Sequence, residues 1–492
     1  MGRLIVASNR TATPGQGRAG GLAVALWDAL TERGGGVWFG WSGETLTRET
    51  RGVRLFVEDE VDFALADLTE AEHEGYYLGF SNRALWPVLH YRVDLARFDD
   101  AAFETYASVN RRFGRLLHQL LRNGDQVWVH DYHFLLLGQE LRNNGWQGPI
   151  GFFLHIPFPP SEVFSALPQH QRLARGMADF DLIGFQTQRD AGNFCRYMVE
   201  MHGAKQLGEG RLRAFGREQQ VAAFPIGTDP TEIRRMVDGP EAHAATARLR
   251  PLIEHRAMVI GVDRMDYSKG LPQKLAAFGR LLDENEALRG HVSFMQIAPP
   301  SRETVDAYRE LRDELDGLAG RVNGDYSDLD WTPIRYLARS YPREVLSGLF
   351  RLARVGLVTP LHDGMNLVAK EYVAAQDPDD PGMLVLSEFA GAAERMKSAL
   401  LVNPHDVGAM AEAIRSALEM PREERVERWQ DLDREVREND VTAWRRGFLA
   451  ALDAARPEAA GGTAGTTTAG GATAASGASP TKPAQADPDE SA

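Results

Sequence analysis

The chain has one cysteine, Cys195, among its 492 residues, so it can form no intrachain disulfide and no cysteine-based zinc site. It lacks any apolar run near the roughly 18 residues that a membrane-spanning helix needs. Its start, Met1-Gly2-Arg3-Leu4-Ile5-Val6-Ala7, holds too short an apolar stretch for a secretory leader, and a cytoplasmic location is expected. It also lacks positive charge: 55 Lys and Arg stand against 69 Asp and Glu, a formal net charge of −14. That balance argues against nucleic acid or an anionic membrane as the main partner, and a phosphorylated ligand would need a local basic pocket. The dinucleotide fingerprint G-x-G-x-x-G is missing as well, which counts against a nucleotide-dependent dehydrogenase. Residues 457–492 contain no aromatic, valine, leucine or isoleucine, cannot bury a core, and are expected to form a disordered low-complexity tail.

What is present is a repeated rhythm of short apolar runs followed by helix-forming stretches, which predicts an α/β protein. The length exceeds what one core usually supports, so two domains of about 200 residues are expected. The pattern resets at Phe224-Pro225-Ile226-Gly227-Thr228-Asp229-Pro230, placing the boundary between 1–228 and 229–440. A terminal helical segment, 441–456, is expected to pack back on the first domain.

In the first half, Leu4 to Ala7 reads as a buried strand ending at Ser8-Asn9-Arg10, with Gly20-Gly21 before a helix from about Leu22 to Leu30. Arg10 at a strand's carboxyl end can meet an anion and the glycines admit a ligand to the backbone, although a surface arginine and a helix-start glycine explain them equally well. The runs Val37 to Gly43 and Tyr76 to Pro87 are rich in aromatics, which suit either a sugar face or a core. Gln126 to Val129 runs into His130-Asp131-Tyr132-His133, and Gly151 to Leu154 into His155-Ile156-Pro157, putting Asp131 and His155 at strand ends. The His130/His133 pair has no third ligand nearby, so hydrogen bonding to a polyhydroxylated ligand fits better than a metal. Phe194, Cys195, Met198 and Val199 share a helical face, so the thiol is expected to be buried and structural.

In the second half, Met258 to Val262 leads into Asp263-Arg264-Met265-Asp266-Tyr267-Ser268-Lys269-Gly270. Arg264 and Lys269 can grip a diphosphate, or can pair on the surface with Asp263 and Asp266. Val292 to Ile297 ends near Arg302. Asp328-Leu329-Asp330 matches a loose metal and nucleotide-sugar pattern that arises easily by chance in an acidic chain. Val355 to Val358 passes through His362-Asp363-Gly364-Met365-Asn366 into a helix from Leu367 to Ala375. Strand, tight loop and helix aim backbone N–H groups at an anion, with Asn366 as cap, the Leu367 and Val368 amides available, and Glu371 within reach of a ribose. An ordinary βα unit has the same outline.

Blocks from Arg3 to Arg10, Gly20 to Val24, Trp38 to Glu44, Phe80 to Pro87, His130 to His133, Gly151 to Pro159, Asp266 to Gly270 and Val355 to Gln376 together resemble the trehalose-6-phosphate synthases, retaining glycosyltransferases of family 20. The resemblance runs from Arg3 to about Leu452 and implies a GT-B architecture, two Rossmann-like domains facing across a deep catalytic cleft. It implies transfer of glucose from UDP-glucose to glucose 6-phosphate, with the first domain binding acceptor and the second binding the nucleotide-sugar. By that likeness Arg10, Tyr77, Trp86, Asp131 and Arg302 serve the acceptor. Gly20, Gly21, Arg264, Lys269 and Leu367, Val368, Ala369, Lys370 and Glu371 serve the donor. His155 and Asp363 contact the transferring glucose, and with Arg264 and Lys269 form the catalytic set. No metal or other cofactor is expected, and a homo-oligomer, dimer or tetramer, is. A related enzyme using glycerol 3-phosphate, or a non-catalytic sugar-phosphate sensor, would share much of this pattern.

Overall fold

The computed structural model describes residues 2–11, 21–49, 52–253, 255–301 and 306–455, with backbone alone at 21, 22, 252 and 306. Gly20, Arg302 and the stretch 457–492 therefore lie outside the described residues.

The apolar runs form strands bounded by turn residues, and those at the centre of each sheet are buried on both faces, while Arg54–Glu58, Lys205–Gly208 and Arg211–Ala214, toward the edges, are partly or wholly exposed. In the first half these are β1 (Leu4–Arg10), β2 (Gly36–Leu46), β3 (Arg54–Glu58), β4 (Val61–Thr69), β5 (Gln126–His130), β6 (Ile150–Phe153), β7 (Leu182–Phe185), β8 (Lys205–Gly208), β9 (Arg211–Ala214) and β10 (Arg217–Ala223). They build one sheet in the order β3-β4-β2-β1-β5-β6-β7-β10-β9-β8. Its interior pairs are parallel, and antiparallel pairs close both edges, β3 with β4 and β8 with β9 with β10. The second half supplies β11 (Ala257–Val262), β12 (Val292–Ile297), β13 (Ile334–Leu337), β14 (Val355–Val358), β15 (Met383–Ser387) and β16 (Leu400–Val402). These form an all-parallel sheet in the order β13-β12-β11-β14-β15-β16.

Each sheet has a place where successive connections depart in opposite directions, between β1 and β5 in the first and between β11 and β14 in the second. Beyond the carboxyl ends at such a point the chain opens a crevice, the favoured ligand position of open α/β sheets. Arg10 ends β1 and Asp131 follows β5; Arg264 and Asp363 follow β11 and β14.

One helical stretch departs from what apolar periodicity predicts. Residues 70–89 run on as one helix, and its central 13 residues, His73–Leu85, are π-helical. Thr69 starts it with a capping box, its hydroxyl accepting from Glu72 N at 3.1 Å while Glu72 Oε2 accepts from Thr69 N at 2.8 Å. Extended π-helix is rare and concentrates at functional sites. Here it carries Tyr76 and Tyr77.

The last helix, Val441–Ala454, lies against the first sheet: Phe448 stacks on Trp128 of β5 at 4.7 Å between centroids. Arg445, 2% exposed, pairs with Glu32, just past the helix Gly21–Thr31, and stands 3.6 Å from Asp28 within it. The helix before it, Arg422–Glu438, packs by Trp429 on the second half, the indole donating to Val373 O at 3.0 Å. Cys195 sits at the margin of its helical face, half-buried beside fully buried Phe194 and Met198. Burial pushes its thiol pKa up, which keeps it protonated and unreactive.

Candidate active site

The wall offered by the first sheet is held by side chains that tie β1 to the π-helix. Tyr76 donates its hydroxyl to Asn9 Oδ1 at 2.7 Å, and Trp38 Nε1 donates to Ser8 Oγ at 2.8 Å. Arg10 ends the strand exposed, its guanidinium lying across Gly43. A Cβ there would stand 2.8 Å from Arg10 Nη2, and Gly43 has φ +94°, so glycine alone leaves that path open. Tyr77 is sandwiched between His73 and His133, ring centroids 5.3 and 5.9 Å away and planes nearly parallel. Trp86 is 4% exposed and packs on His90 at 4.1 Å. Asp131, half-buried, has φ +74°, a strained value for a residue with a side chain. That conformation is imposed by β5 and β6, since Asp131 N donates to Phe153 O at 2.8 Å.

His155 follows β6 and is half-buried, with Nε2 3.1 Å from His130 Nδ1. Burial pulls its pKa down to about 3, and holds that of His130 well below the usual imidazole range. Both rings are neutral at physiological pH. His90, which the sequence reading passed over, is 2% exposed and donates through Nδ1 to Trp86 O at 2.8 Å. Its only signal in the sequence is its place at the end of the aromatic run.

On the opposite wall, the acidic neighbours of Arg264 and Lys269 are engaged elsewhere. Asp263 forms a buried ion pair with Lys274, the two side chains 2% and 0% exposed. Asp266 accepts from Ser268 N at 2.9 Å and from the Tyr308 hydroxyl at 3.0 Å. Surface pairing of Arg264 and Lys269 with these acids is thereby excluded. Arg264 is exposed and lies 5.6 Å over the Trp86 ring, reaching from the second half to the first. Lys269 pairs with Asp363, which also accepts from Asn366 Nδ2 at 3.1 Å.

The Asp363 loop touches the His155 loop directly. A Cβ on Gly364 would stand 2.2 Å from His155 O, so a side chain at 364 would force the two walls apart. Across the same gap Tyr91 stacks on His362 at 3.9 Å. His155, Asp363 and Lys269 thus converge, with Arg264 and Trp86 alongside.

Asn366 occupies the N-cap position of the helix Leu367–Ala375 but does not cap it through its side chain. Its left-handed backbone, φ +72°, turns the amide back to Asp363 instead. The first-turn N–H groups, which no helix can satisfy internally, are left to another acceptor. Leu367, Val368 and Glu371 share a half-exposed face, while Ala369 and Lys370 face inward. Lys370 is 1% exposed and donates from Nζ to Ile226 O at 2.9 Å, so its ammonium ties the two halves together and is directed away from the loop. Burial draws its pKa down to about 8. Glu371 stands 3.8 Å from Arg343, and burial raises its carboxyl pKa against that cation. Gly21 opens the helix Gly21–Thr31, described there by backbone alone; Gly20 and Arg302 cannot be placed.

Asp330 of the D-x-D triplet pairs with Arg256 at 2.6 Å, beside a fully exposed Leu329. Among the described residues no group of three or more His, Cys, Asp or Glu is arranged to hold a metal ion.

Comparison with known proteins identifies the family and the fold. The profile of glycosyltransferase family 20 matches residues 6–454. A trehalose-6-phosphate synthase of Sinorhizobium fredii is 46% identical over 458 residues, covering 92% of this chain and 99% of that one; one of Enterobacter sp. is 45% identical over 459 residues, covering 93% and 96%. The crystal structure of an alpha,alpha-trehalose-phosphate synthase (UDP-forming) from Burkholderia xenovorans, in complex with glucose-6-phosphate, superposes with a TM-score of 0.88 at 48% identity, covering 92% of this chain and all of that one. The E. coli protein bound with UDP-2-fluoro glucose gives 0.88 at 43% identity, covering 92% and 98%. The expected two-sheet GT-B architecture is therefore present here.

Proposed function

The chain belongs to glycosyltransferase family 20, and from that membership and the geometry of the cleft we infer its reaction. It transfers glucose from UDP-glucose to glucose 6-phosphate with retention, forming α,α-trehalose 6-phosphate and UDP. The observation that carries this reading is the meeting of the Lys269–Asp363 pair with the His155 loop beside the start of Leu367–Ala375.

The roles of individual residues follow from the chemistry. As the glycosidic bond breaks, negative charge grows on the β-phosphate of the leaving UDP. Arg264, Lys269 and the unsatisfied amides at Leu367 and Val368 are our candidates to stabilise it. Until donor arrives, Lys269 is held by Asp363; a diphosphate would draw off the ammonium and release the carboxylate to accept sugar hydroxyls. Glu371, on the same helix face as Leu367 and Val368, would take the ribose. Arg10, Tyr77, Asp131 and Arg302 would hold the glucose 6-phosphate, with both arginines on its phosphate and Trp86 lining the pocket. His155 is neutral and too weakly basic to serve as general base. A front-face attack, with the departing phosphate oxygen taking the acceptor's proton, is the mechanism these groups support.

With two cations and a helix start at the leaving group, turnover is expected to need no metal ion. We assign 1–228 and the returning segment 441–456 to the acceptor side, and 229–440 to the donor side. No helix among the described residues is long and apolar enough to cross a membrane, and we place the enzyme in the cytoplasm. The test is a matrix of UDP-, ADP- and GDP-glucose against glucose 6-phosphate and glycerol 3-phosphate, with and without chelator. The expected result is trehalose 6-phosphate from UDP-glucose and glucose 6-phosphate, undiminished by chelation; no nucleotide release in any cell of the matrix would overturn the reading.

Self-association is supported by one surface. On the edge strand β3, Leu55, Phe56 and Val57 are 63%, 44% and 74% exposed between Arg54 and Glu58. A two-fold antiparallel pairing about Phe56 would set Arg54 opposite Glu58 of the partner subunit and Leu55 opposite its Val57, so the sequence complements itself. Val57→Lys places a charge on that edge. Sedimentation velocity should show the wild type as a dimer or larger and the variant at half its mass or less; equal masses would discard this interface.

A further inference from the structure

His130 contacts His155 from behind, with Nδ1 3.1 Å from His155 Nε2 and the two rings stacked at 5.3 Å between centroids. His130 itself is 1% exposed. Trp128 lies 4.5 Å from it, and the other His130 nitrogen, Nε2, is enclosed with no hydrogen-bond partner among the described residues.

A hydrogen bond between two neutral imidazoles has two versions. In one, His155 donates from Nε2 and His130 accepts at Nδ1, which puts the His130 proton on Nε2 and buries an N–H with nothing to receive it. In the other, His130 donates from Nδ1 and its enclosed Nε2 is a bare lone pair. Genuinely orphaned buried N–H groups are rare in proteins. The second version is favoured. Since His155 Nε2 then accepts, the single proton of that neutral ring must sit on Nδ1.

We propose that His130 is a positioning residue: it fixes His155 as the Nδ1–H tautomer, so that the ring meets the substrate as a hydrogen-bond donor. The proposal rests on the reading that His155 contacts the transferring glucose. A ring locked this way offers an N–H to a sugar hydroxyl oxygen, and its orientation is set before the donor binds. His133, on the same strand-end loop, stacks on Tyr77 and cannot substitute. Partners that set the tautomer of a working imidazole are usually worth a tenfold or larger factor in rate.

The test uses the full-length enzyme, selectively labelled with ¹⁵N-histidine, and two variants. In the wild type the ¹⁵N spectrum should show His155, assigned by loss of its signals in His155→Gln, as the Nδ1–H form. His130→Asn keeps an N–H donor near the position of Nδ1, while His130→Leu removes it. The expected result is that His130→Leu mixes the His155 tautomers and lowers kcat by about 10- to 100-fold with little change in KM for glucose 6-phosphate. His130→Asn should restore both the tautomer and most of the rate. An Nε2–H tautomer in the wild type, or equal losses in the Asn and Leu variants, overturns the proposal. Absence of transfer in the wild type would instead sink the functional reading, since the tautomer is read without turnover.

Discussion

Replacing Arg264 with alanine lowers kcat by about 10²–10³-fold, the usual cost of removing one donor aimed at developing transition-state charge. The loss falls on kcat because the charge on the departing diphosphate is largest as the bond breaks, so the interaction is stronger there than in the ground state. The fold is expected to survive. Arg264 is exposed, and its contact with the Trp86 ring at 5.6 Å is worth about 1 kcal/mol. Arg264→Lys should recover only part of the rate, since an ammonium supplies a point charge where a guanidinium supplies a planar fork. Steady-state UDP release alongside a thermal melt measures both effects. Unchanged turnover in Arg264→Ala would remove this residue from the leaving-group role.

Replacing Lys274 with methionine has the largest expected effect on stability, a loss of about 3–5 kcal/mol. Lys274 and Asp263 are both buried, and removing one strands the other's charge in a medium that solvates it poorly. Asp263 also accepts from Gln296 Nε2 at 3.3 Å, a contact too weak to replace an ammonium. Adding Asp263→Asn should return most of the lost stability, because a neutral pair no longer needs the counter-charge. Asp263 directly precedes Arg264, so the single variant should also slow transfer, by loosening the loop that aims the guanidinium. Denaturant unfolding gives the number; a single-variant loss below about 1 kcal/mol would contradict the account of this pair.

What could be read from the sequence was local. Val355–Val358 and Leu367–Ala375 fold as the apolar run and the helix-forming stretch predict. Asp131, His155 and Arg264 come just after β5, β6 and β11, as the ends of their apolar runs predict, because the apolar run stops where the ladder stops. Contacts between distant segments were not legible. Nothing in the spacing of Lys269 and Asp363, or of Lys274 beside Asp263, tells which acid each lysine takes; the first pair is set by β11 and β14 lying side by side, the second by the helix Leu271–Glu284 packing back on the end of β11. Resemblance alone assigns Lys370 to the donor site; that its ammonium donates to Ile226 O is a contact between distant segments that no spacing in the sequence reveals. The π-helical register of His73–Leu85 was hidden for a related reason: its aromatics fit a helix or a core equally well by composition. Asn366 had the residue type of a cap and the wrong backbone for its side chain to serve as one.

The central claim is that this cleft transfers glucose from UDP-glucose with its configuration kept. The most direct measurement is ¹H NMR of the product formed from UDP-glucose and glucose 6-phosphate, read at the anomeric protons with UDP release followed in parallel. The account predicts an α,α-linked disaccharide phosphate formed in equal amount with UDP. A transferred glucose in the β configuration, or UDP released with no disaccharide phosphate, would contradict it.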